Sequence, residues 1–236
     1  MTINWADQRA LILAPHPDDE VIGCGGLISR ISEAGGEAHV LYVTIGANVQ
    51  QAAAGFSTEA ENREEIEKVA AHLGITSWHV ALPEAAQLTL DQVQRLELSR
   101  VIEDTTPISL TRLCPTLIAF PHPTSYNQDH QAVAEAAITA LRPSDRRKRP
   151  HPSLVLAYEQ AADQWRMTPT APPNFYVTLQ PRHVDAKVTA MDLYSSQRRE
   201  HPHTRSDETL RSLATLRGMQ CGAEAAEAYE CMRLMS

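Results

Sequence analysis

Five apolar residues, Ala10-Leu11-Ile12-Leu13-Ala14, stop at Pro15-His16-Pro17-Asp18-Asp19-Glu20. Gly23-Cys24-Gly25-Gly26 follows, then Leu27, Ile28 and Ile31, then Gly35-Gly36. A short apolar run ended by proline reads as a buried strand, and the later apolar spacing reads as a helix stopped by glycine. Ala38–Thr44, rich in apolar and β-branched residues, reads as the next strand. Strand, loop, helix and strand make a βαβ unit with a parallel pair, and that unit commits the chain to a layered α/β architecture. Ligands in such sheets bind at the carboxyl ends of strands, where the loop His16–Glu20 falls.

The remaining chain fits this plan. Thr58-Glu59-Ala60-Glu61 predicts a capping box opening a helix through His72, and Gly74 leads into a third strand over Ile75–Val80. A helix is expected over Asp91–Glu103. The strand Cys114–Phe120 ends in a second Pro-His-Pro loop before a helix over His130–Leu141. Helical patterns return over Val184–Arg199 and from Ser206 to Gly218. Arg142–Pro152 carries five Arg or Lys and three Pro, read as a solvated loop in preference to an anion-binding patch. Met167–Pro173 is Pro-rich and expected to be irregular. Without an internal repeat or a long linker, the expectation is a single domain over 1–236. Its fold would be a Rossmann-like three-layer α/β sandwich with a mostly parallel sheet and an elaborated C-terminal third.

Composition narrows the functional classes. The formal net charge of −8 would repel a phosphate backbone, so nucleic acid is not an expected partner. Ala10–Ala14 falls far short of the roughly 20 apolar residues that span a bilayer. Met1–Gln8 has no Lys or Arg to begin a secretory signal, so no membrane association and a cytoplasmic location are expected. Cys24, Cys114, Cys221 and Cys231 form no C-x-x-C pair and read as small buried residues instead of disulfides or a thiolate metal site. Association of identical copies into a homo-oligomer is left open.

The loop His16–Glu20 concentrates one imidazole and three carboxylates, which calls for a cation or hydrogen bonds in compensation. The loop Asn127-Gln128-Asp129-His130 supplies another imidazole at a helix start, so a His/Asp/His set closing across two strand ends is expected. Three nitrogen and oxygen ligands with an open position suit a catalytic zinc, although other first-row divalent ions share the donor set. Taken alone, Asp18-Asp19-Glu20 reads equally as an acidic cluster at a helix N-terminus. A dinucleotide reading fails, because position 28 is Ile where a third glycine is needed and Thr44-Ile45-Gly46 offers no acidic residue for a ribose.

Ala14 through Gly26 resembles the signature of the PIG-L/LmbE-like zinc-dependent N-deacetylases. Corroborating segments are Arg63 with Glu65, Leu73-Gly74, Pro121-His122-Pro123 and Asn127 through Val133. Tyr158-Glu159, Tyr194 through Gln197, Pro202 through Ser206 and Ala226 through Glu230 resemble a bacterial branch associated with sugar and secondary-metabolite pathways. The resemblance implies His16, Asp19 and His130 as Zn2+ ligands and Asp18 as general base toward metal-bound water, the nucleophile. It also implies a small-molecule N-acetylated, amino-sugar-containing substrate. The alternatives are an amidase acting on a non-sugar amide and a metal-dependent binding protein without turnover, against which the retained Asp18 argues.

Asp129, beside His130, reads as the carboxylate supporting a ligand, or equally as a helix cap. Many relatives carry histidine where this chain has Asn127, and an amide cannot deliver a proton at neutral pH. His203 is the expected substitute, as proton donor or oxyanion partner. Ser125 stands where the branch often has Asp. Arg63, Glu159 and Trp165 are candidates for substrate-facing roles, each with an ordinary surface or core role as the alternative.

Overall fold

The computed structural model describes residues 3–45, 57–83, 85, 88–165 and 172–235. Seven strands form one sheet: β1 (Arg9–Ala14), β2 (Glu37–Tyr42), β3 (Ser77–Val80), β4 (Leu117–Pro121), β5 (Leu154–Tyr158), β6 (Phe175–Leu179) and β7 (Ala225–Leu234). Their spatial order is β3-β2-β1-β4-β5-β7-β6. The first five are parallel, and β7 runs antiparallel between β5 and β6. The helices are α1 (Asp19–Ala34), α2 (Glu59–Leu73), α3 (Arg95–Arg100), α4 (Leu110–Leu113), α5 (Gln128–Ala140), α6 (Pro181–Leu193) and α7 (Asp207–Cys221).

Strand alternation builds the layers. Ala10, Ile12 and Ala14 of β1 join the apolar cluster formed with α1, α2, α6 and α7, whereas Leu11 and Leu13 join the opposite cluster with α3 and α5. This is the expected three-layer sandwich with a mostly parallel sheet. After β1 the chain proceeds outward to β2 and β3, then returns to place β4 on the other side of β1. The carboxyl ends of β1 and β4 therefore flank the crevice where strand order reverses, the favoured ligand position in open α/β sheets.

The glycines of α1 permit close packing. A Cβ on Gly23 would lie 2.3 Å from the Tyr158 ring, and one on Gly25 would lie 2.9 Å from the Lys187 stem. Lys187 Nζ pairs with Glu227 at 2.7 Å, both side chains being 5% exposed. Glu227 also accepts from Gly26 N, Leu27 N and the Tyr229 hydroxyl, locking α1, α6 and β7 together.

Several sequence expectations are corrected. The helix expected over Asp91–Glu103 is divided into a 3-10 turn Leu90–Gln92, α3 and a π turn Val101–Thr105. The helix expected over Val184–Arg199 begins at Pro181 and ends at Leu193, so that the Tyr194 hydroxyl can reach buried Glu20 Oε1 at 2.6 Å. Cys114 lies outside β4 in a left-handed conformation with φ 48°. Only Cys24 is fully buried; Cys114 and Cys221 are exposed, Cys231 is half-buried, and all four are free thiols. Residues 167–171 of the Pro-rich stretch lie outside the described residues. Among the described residues no helix is long and apolar enough to cross a membrane.

Candidate metal centre and active site

The loop after β1 turns sharply at Asp18, whose φ of 103° is rare for a residue with a side chain. Its carbonyl accepts from Val21 N and Ile22 N at 3.0 and 2.9 Å and starts α1, but its carboxylate makes no cap bond and turns away from the helix. Ordinarily an aspartate at this position would cap the helix with that carboxylate. The left-handed turn instead delivers Asp18 and Asp19 to the crevice, both at most 2% exposed.

His16, Asp19 and His130, all buried, converge so that one ligand atom from each lies within 4.8 Å of the others. Asp19 Oδ2 is the shared centre, 3.3 Å from His16 Nδ1 and 3.2 Å from His130 Nε2. Its position is fixed by His16 N, which donates to Oδ2 at 2.9 Å, and by Gln160 Nε2, which donates to Oδ1 at 2.7 Å. Burial depresses the His16 pKa, but Asp129 and Asp19 outweigh it and push the ring up to about 9. Burial works against ionisation of Asp19 too, yet His130 and His16 hold its carboxyl well below the usual range.

Asp129 is fully buried and supports this cluster. Its Oδ2 lies 2.7 Å from His16 Nε2, and it accepts from Leu88 N and Leu90 N at 2.7 and 2.8 Å. Both Asp129 oxygens accept from backbone N–H groups, so in the neutral ring His16 Nε2 carries the hydrogen toward Asp129 and Nδ1 is the lone pair on the side of Asp19. Asn127 is the N-cap of α5, its Oδ1 accepting from Asp129 N at 2.9 Å. It thus sets the helix start that carries Asp129 and His130.

Of the three adjacent acids, Glu20 is consumed structurally: it accepts from the Tyr194 hydroxyl and from Asp18 N. Burial raises its pKa to about 8. Asp18 Oδ2 lies 3.2 Å from Arg205 Nε and is otherwise without a hydrogen bond among the described residues. Burial raises the Asp18 pKa to about 7, Arg205 opposing and Asp19 reinforcing the shift. Arg205 belongs to the Pro202–Ser206 segment that resembles the bacterial branch, but its pairing with Asp18 has no local sequence signal, since the two lie 187 positions apart.

A cavity of about 170 Å³ is lined by Ile22, Tyr126, Gln160, Arg199, His203 and Arg205 among others, so its wall includes Arg205, the partner of Asp18, and Gln160, the partner of Asp19. His203 is exposed on its wall, and its Nδ1 accepts from Arg205 N at 3.1 Å. Its neutral ring therefore carries hydrogen on Nε2. Burial, Arg205 and Arg199 all lower its pKa, favouring that neutral form.

The remaining candidates lie elsewhere. Arg63 pairs with Glu59 one turn back on α2 at 2.8 Å, with no interaction to the triad among the described residues. Glu159 receives both Nε and Nη2 of Arg217 at 2.6 Å. It lines a second cavity, of about 270 Å³, and Trp165 is 83% exposed. Ser125 is fully buried, with its hydroxyl oxygen accepting from Asn127 N at 3.3 Å.

Fold and site together define a doubly wound α/β protein with a buried His/Asp/His cluster that could hold a metal ion at its switch-point crevice. The chain belongs to the PIG-L family, described as GlcNAc-PI de-N-acetylase, whose model matches residues 11–141. A glucosamine-6-phosphate deaminase-like protein of Bacteroides thetaiotaomicron is 49% identical over 39 residues, 16% of this chain and 6% of that protein. The chain thus matches only a small part of that curated relative. Among solved structures, an N,N'-diacetylchitobiose deacetylase from Pyrococcus horikoshii is 22% identical with a TM-score of 0.71, over 95% of this chain and 84% of that one. GalB, the 4-carboxy-2-hydroxymuconate hydratase of Pseudomonas putida, is also 22% identical, with a TM-score of 0.65 over 96% and 97% of the two chains. At these identities the structural likenesses establish the fold.

Proposed function

We propose that this chain is a divalent-metal-dependent N-deacetylase that removes an acetyl group from the nitrogen of an amino-sugar-containing small molecule. One observation carries the reading: a buried His16/Asp19/His130 cluster, with the adjacent carboxylate of Asp18 held by Arg205 and a cavity lined by Arg205 and Gln160 next to them. Family membership and the acetylated-sugar chemistry named for the Pyrococcus horikoshii neighbour support it.

The donor set fits a cation. His16 Nδ1, Asp19 Oδ2 and His130 Nε2 are the atoms that would hold it, and Asp129 leaves His16 Nδ1 available as a lone pair. Two imidazoles and one carboxylate suit zinc, the ion we propose, and suit other first-row divalent ions too. When bound, such an ion supplies Lewis acidity, polarising an amide carbonyl and making water more acidic.

The protein's own groups divide the remaining work. Asp18, ionised above its raised pKa, accepts a proton from the attacking water. Arg205 favours that ionised form and fixes the carboxylate's direction. Asp19, held by Gln160 and His16 N, remains an anion throughout. His203 lines the cavity and carries its hydrogen on Nε2 in the neutral ring, a donor suited to the charge developing on a carbonyl oxygen. In its lowered-pKa neutral form it serves better as oxyanion partner than as a cationic acid. Asn127 acts through the helix it caps. The cavity of about 170 Å³ is below the usual 300–1,000 Å³ of small-molecule pockets, which matches capture of an acetamido end with the rest of the substrate outside.

The test is release of acetate from a panel of N-acetylated amino sugars by the zinc-loaded protein, with chelator as control. Chelator-sensitive acetate release supports the reading. Full metal loading with no acetate from any sugar, together with turnover of a non-sugar amide or hydration of an unsaturated acid, contradicts it.

A further inference from the structure

Deacetylation as proposed above employs Asp18, Arg205 and His203 and leaves Arg199, on the wall of the same cavity, without a task. We infer that Arg199 determines specificity by receiving an acidic group, a phosphate or a carboxylate, that the substrate carries close to its acetamido end. The acetamido part of this inference rests on the deacetylase reading; the preference for an acidic group rests on the charges of the cavity wall.

The lining contains two guanidinium groups and no carboxylate. Arg205 is matched by Asp18 at 3.2 Å. Arg199 forms no ion pair among the described residues. Its Nη1 donates to Ser196 O and Arg198 O at 2.9 and 2.7 Å, neutral carbonyls that hold the side chain without supplying a countercharge. The acids closest in the chain are not available to it. Glu200 is exposed and forms no ion pair among the described residues. Glu159 is matched by Arg217, and Asp163 is hydrogen-bonded by Gln160 N and the Ser125 hydroxyl. With the His203 ring neutral, the cavity wall carries one uncompensated positive charge. Both guanidinium groups act on His203, where Arg205 and Arg199 add to burial in lowering the pKa of the ring.

An arginine suits an oxyanion because its planar fork can donate two parallel hydrogen bonds to a carboxylate or phosphate. Arg199 is half-buried and already tied to two carbonyls, so less side-chain freedom remains to be lost when an anion docks. Thr204 and Tyr126 line the same cavity and add hydroxyl donors suited to the remaining anion oxygens. Arg199 and His203 share one cavity of about 170 Å³, so the acidic group and the acetamide must lie near each other in the substrate. An amino sugar with its acid on a carbon next to the acetamido-bearing carbon meets that requirement.

The experiment is calorimetric titration of the zinc-loaded protein with glucosamine, glucosamine 1-phosphate and muramic acid. These sugars carry no acetyl group on nitrogen, so binding is read at equilibrium without turnover. Glucosamine lacks the acid, and the other two separate phosphate from carboxylate. At least one acid-bearing sugar should bind about tenfold or more tightly than glucosamine, the scale of a charge-assisted hydrogen bond. Arg199→Gln should abolish that advantage while glucosamine binding and zinc content stay unchanged. Arg199→Lys keeps the charge but loses the fork, so it should reduce the advantage severalfold, and it decides the matter if Arg199→Gln fails to fold. Three results would overturn the inference: no advantage of either acid in the wild type, an advantage untouched by the variants, which would assign the acid to the zinc, or glucosamine weakened as much as the acids, which would leave Arg199 only holding its own turn. Acetate release is not part of this measurement. Arg199-dependent acid binding without deacetylation of any sugar would remove the deacetylase reading alone, and deacetylation without an acid preference would remove this inference alone.

Discussion

Arg205 Nε lies 3.2 Å from Asp18 Oδ2, and Arg205 Nη1 donates to Gln197 Oε1 at 2.9 Å, so one guanidinium ties the C-terminal third to the first loop of the sheet. The proposed role of Asp18 as a base requires its ionised form, and Arg205 lowers its pKa toward that form, against a burial effect that places it at about 7. Activity should therefore fall as pH drops through an acidic limb. Arg205→Gln should move that limb to higher pH by roughly one unit, the ordinary effect of losing an adjacent opposite charge. Metal content should be unchanged. A pH–rate profile with an unmoved limb would deny Arg205 this influence over Asp18.

Asp129 restrains His16 without being a member of the donor set. Asp129→Ala should weaken divalent-metal affinity by about 10- to 100-fold while leaving the three donors in place, the usual consequence of losing the partner that orients a ligand histidine. Competition with a metallochromic chelator measures this directly. Unaltered affinity would show that the α5 backbone alone orients the ring.

Lys187 and Glu227 form a buried pair at 2.7 Å far from any solvent rescue. Lys187→Met would leave the Glu227 carboxylate with its three hydrogen-bond donors but no countercharge. The expected loss is about 3–5 kcal/mol in chemical denaturation, as for other broken buried pairs. A loss below about 1 kcal/mol would mean that Gly26 N, Leu27 N and the Tyr229 hydroxyl suffice for the anion.

Gly23→Ala tests the close approach of α1 to β5. Its Cβ would meet the ring of Tyr158, whose hydroxyl donates to Leu13 O at 3.0 Å next to the site loop. Overpacking of this kind costs about 1–3 kcal/mol, and a shifted Tyr158 would disturb the strand end that presents His16. Both thermal stability and metal affinity should fall together. A variant with normal stability would show that the ring moves aside freely.

The sequence made legible the features governed by local rules. The loop after β1, the capping box at Thr58 and Glu61, the stop at Gly74 and the meeting of two histidine loops follow from residue type and spacing. The antiparallel end of the sheet did not show itself. β7 reads Ala-Ala-Glu-Ala-Tyr-Glu-Cys and lacks β-branched residues there, so its extended state comes from pairing with β5 and β6 on both sides. The helix expected over Val184–Arg199 ends early because Tyr194 leaves the helix to satisfy Glu20, a partner 174 residues away. A long-range pairing also engages Glu159, with Arg217 58 residues away, whereas Arg63 pairs locally with Glu59 one turn back on α2. Asp129 shows the opposite case, in which two sequence alternatives, a support for a ligand or a cap, resolve through the hydrogen bond to His16.

The central claim is that His16, Asp19 and His130 hold the metal while Asp18 performs the proton transfer that releases acetate. The most direct measurement pairs metal content with acetate release for wild type, Asp18→Asn and Asp19→Asn in one preparation series. The account predicts that Asp18→Asn retains metal but loses roughly 10²–10⁴ in turnover, whereas Asp19→Asn loses both. Metal retained by Asp19→Asn and lost by Asp18→Asn would reverse the two roles, and near-normal acetate release from Asp18→Asn would contradict the account.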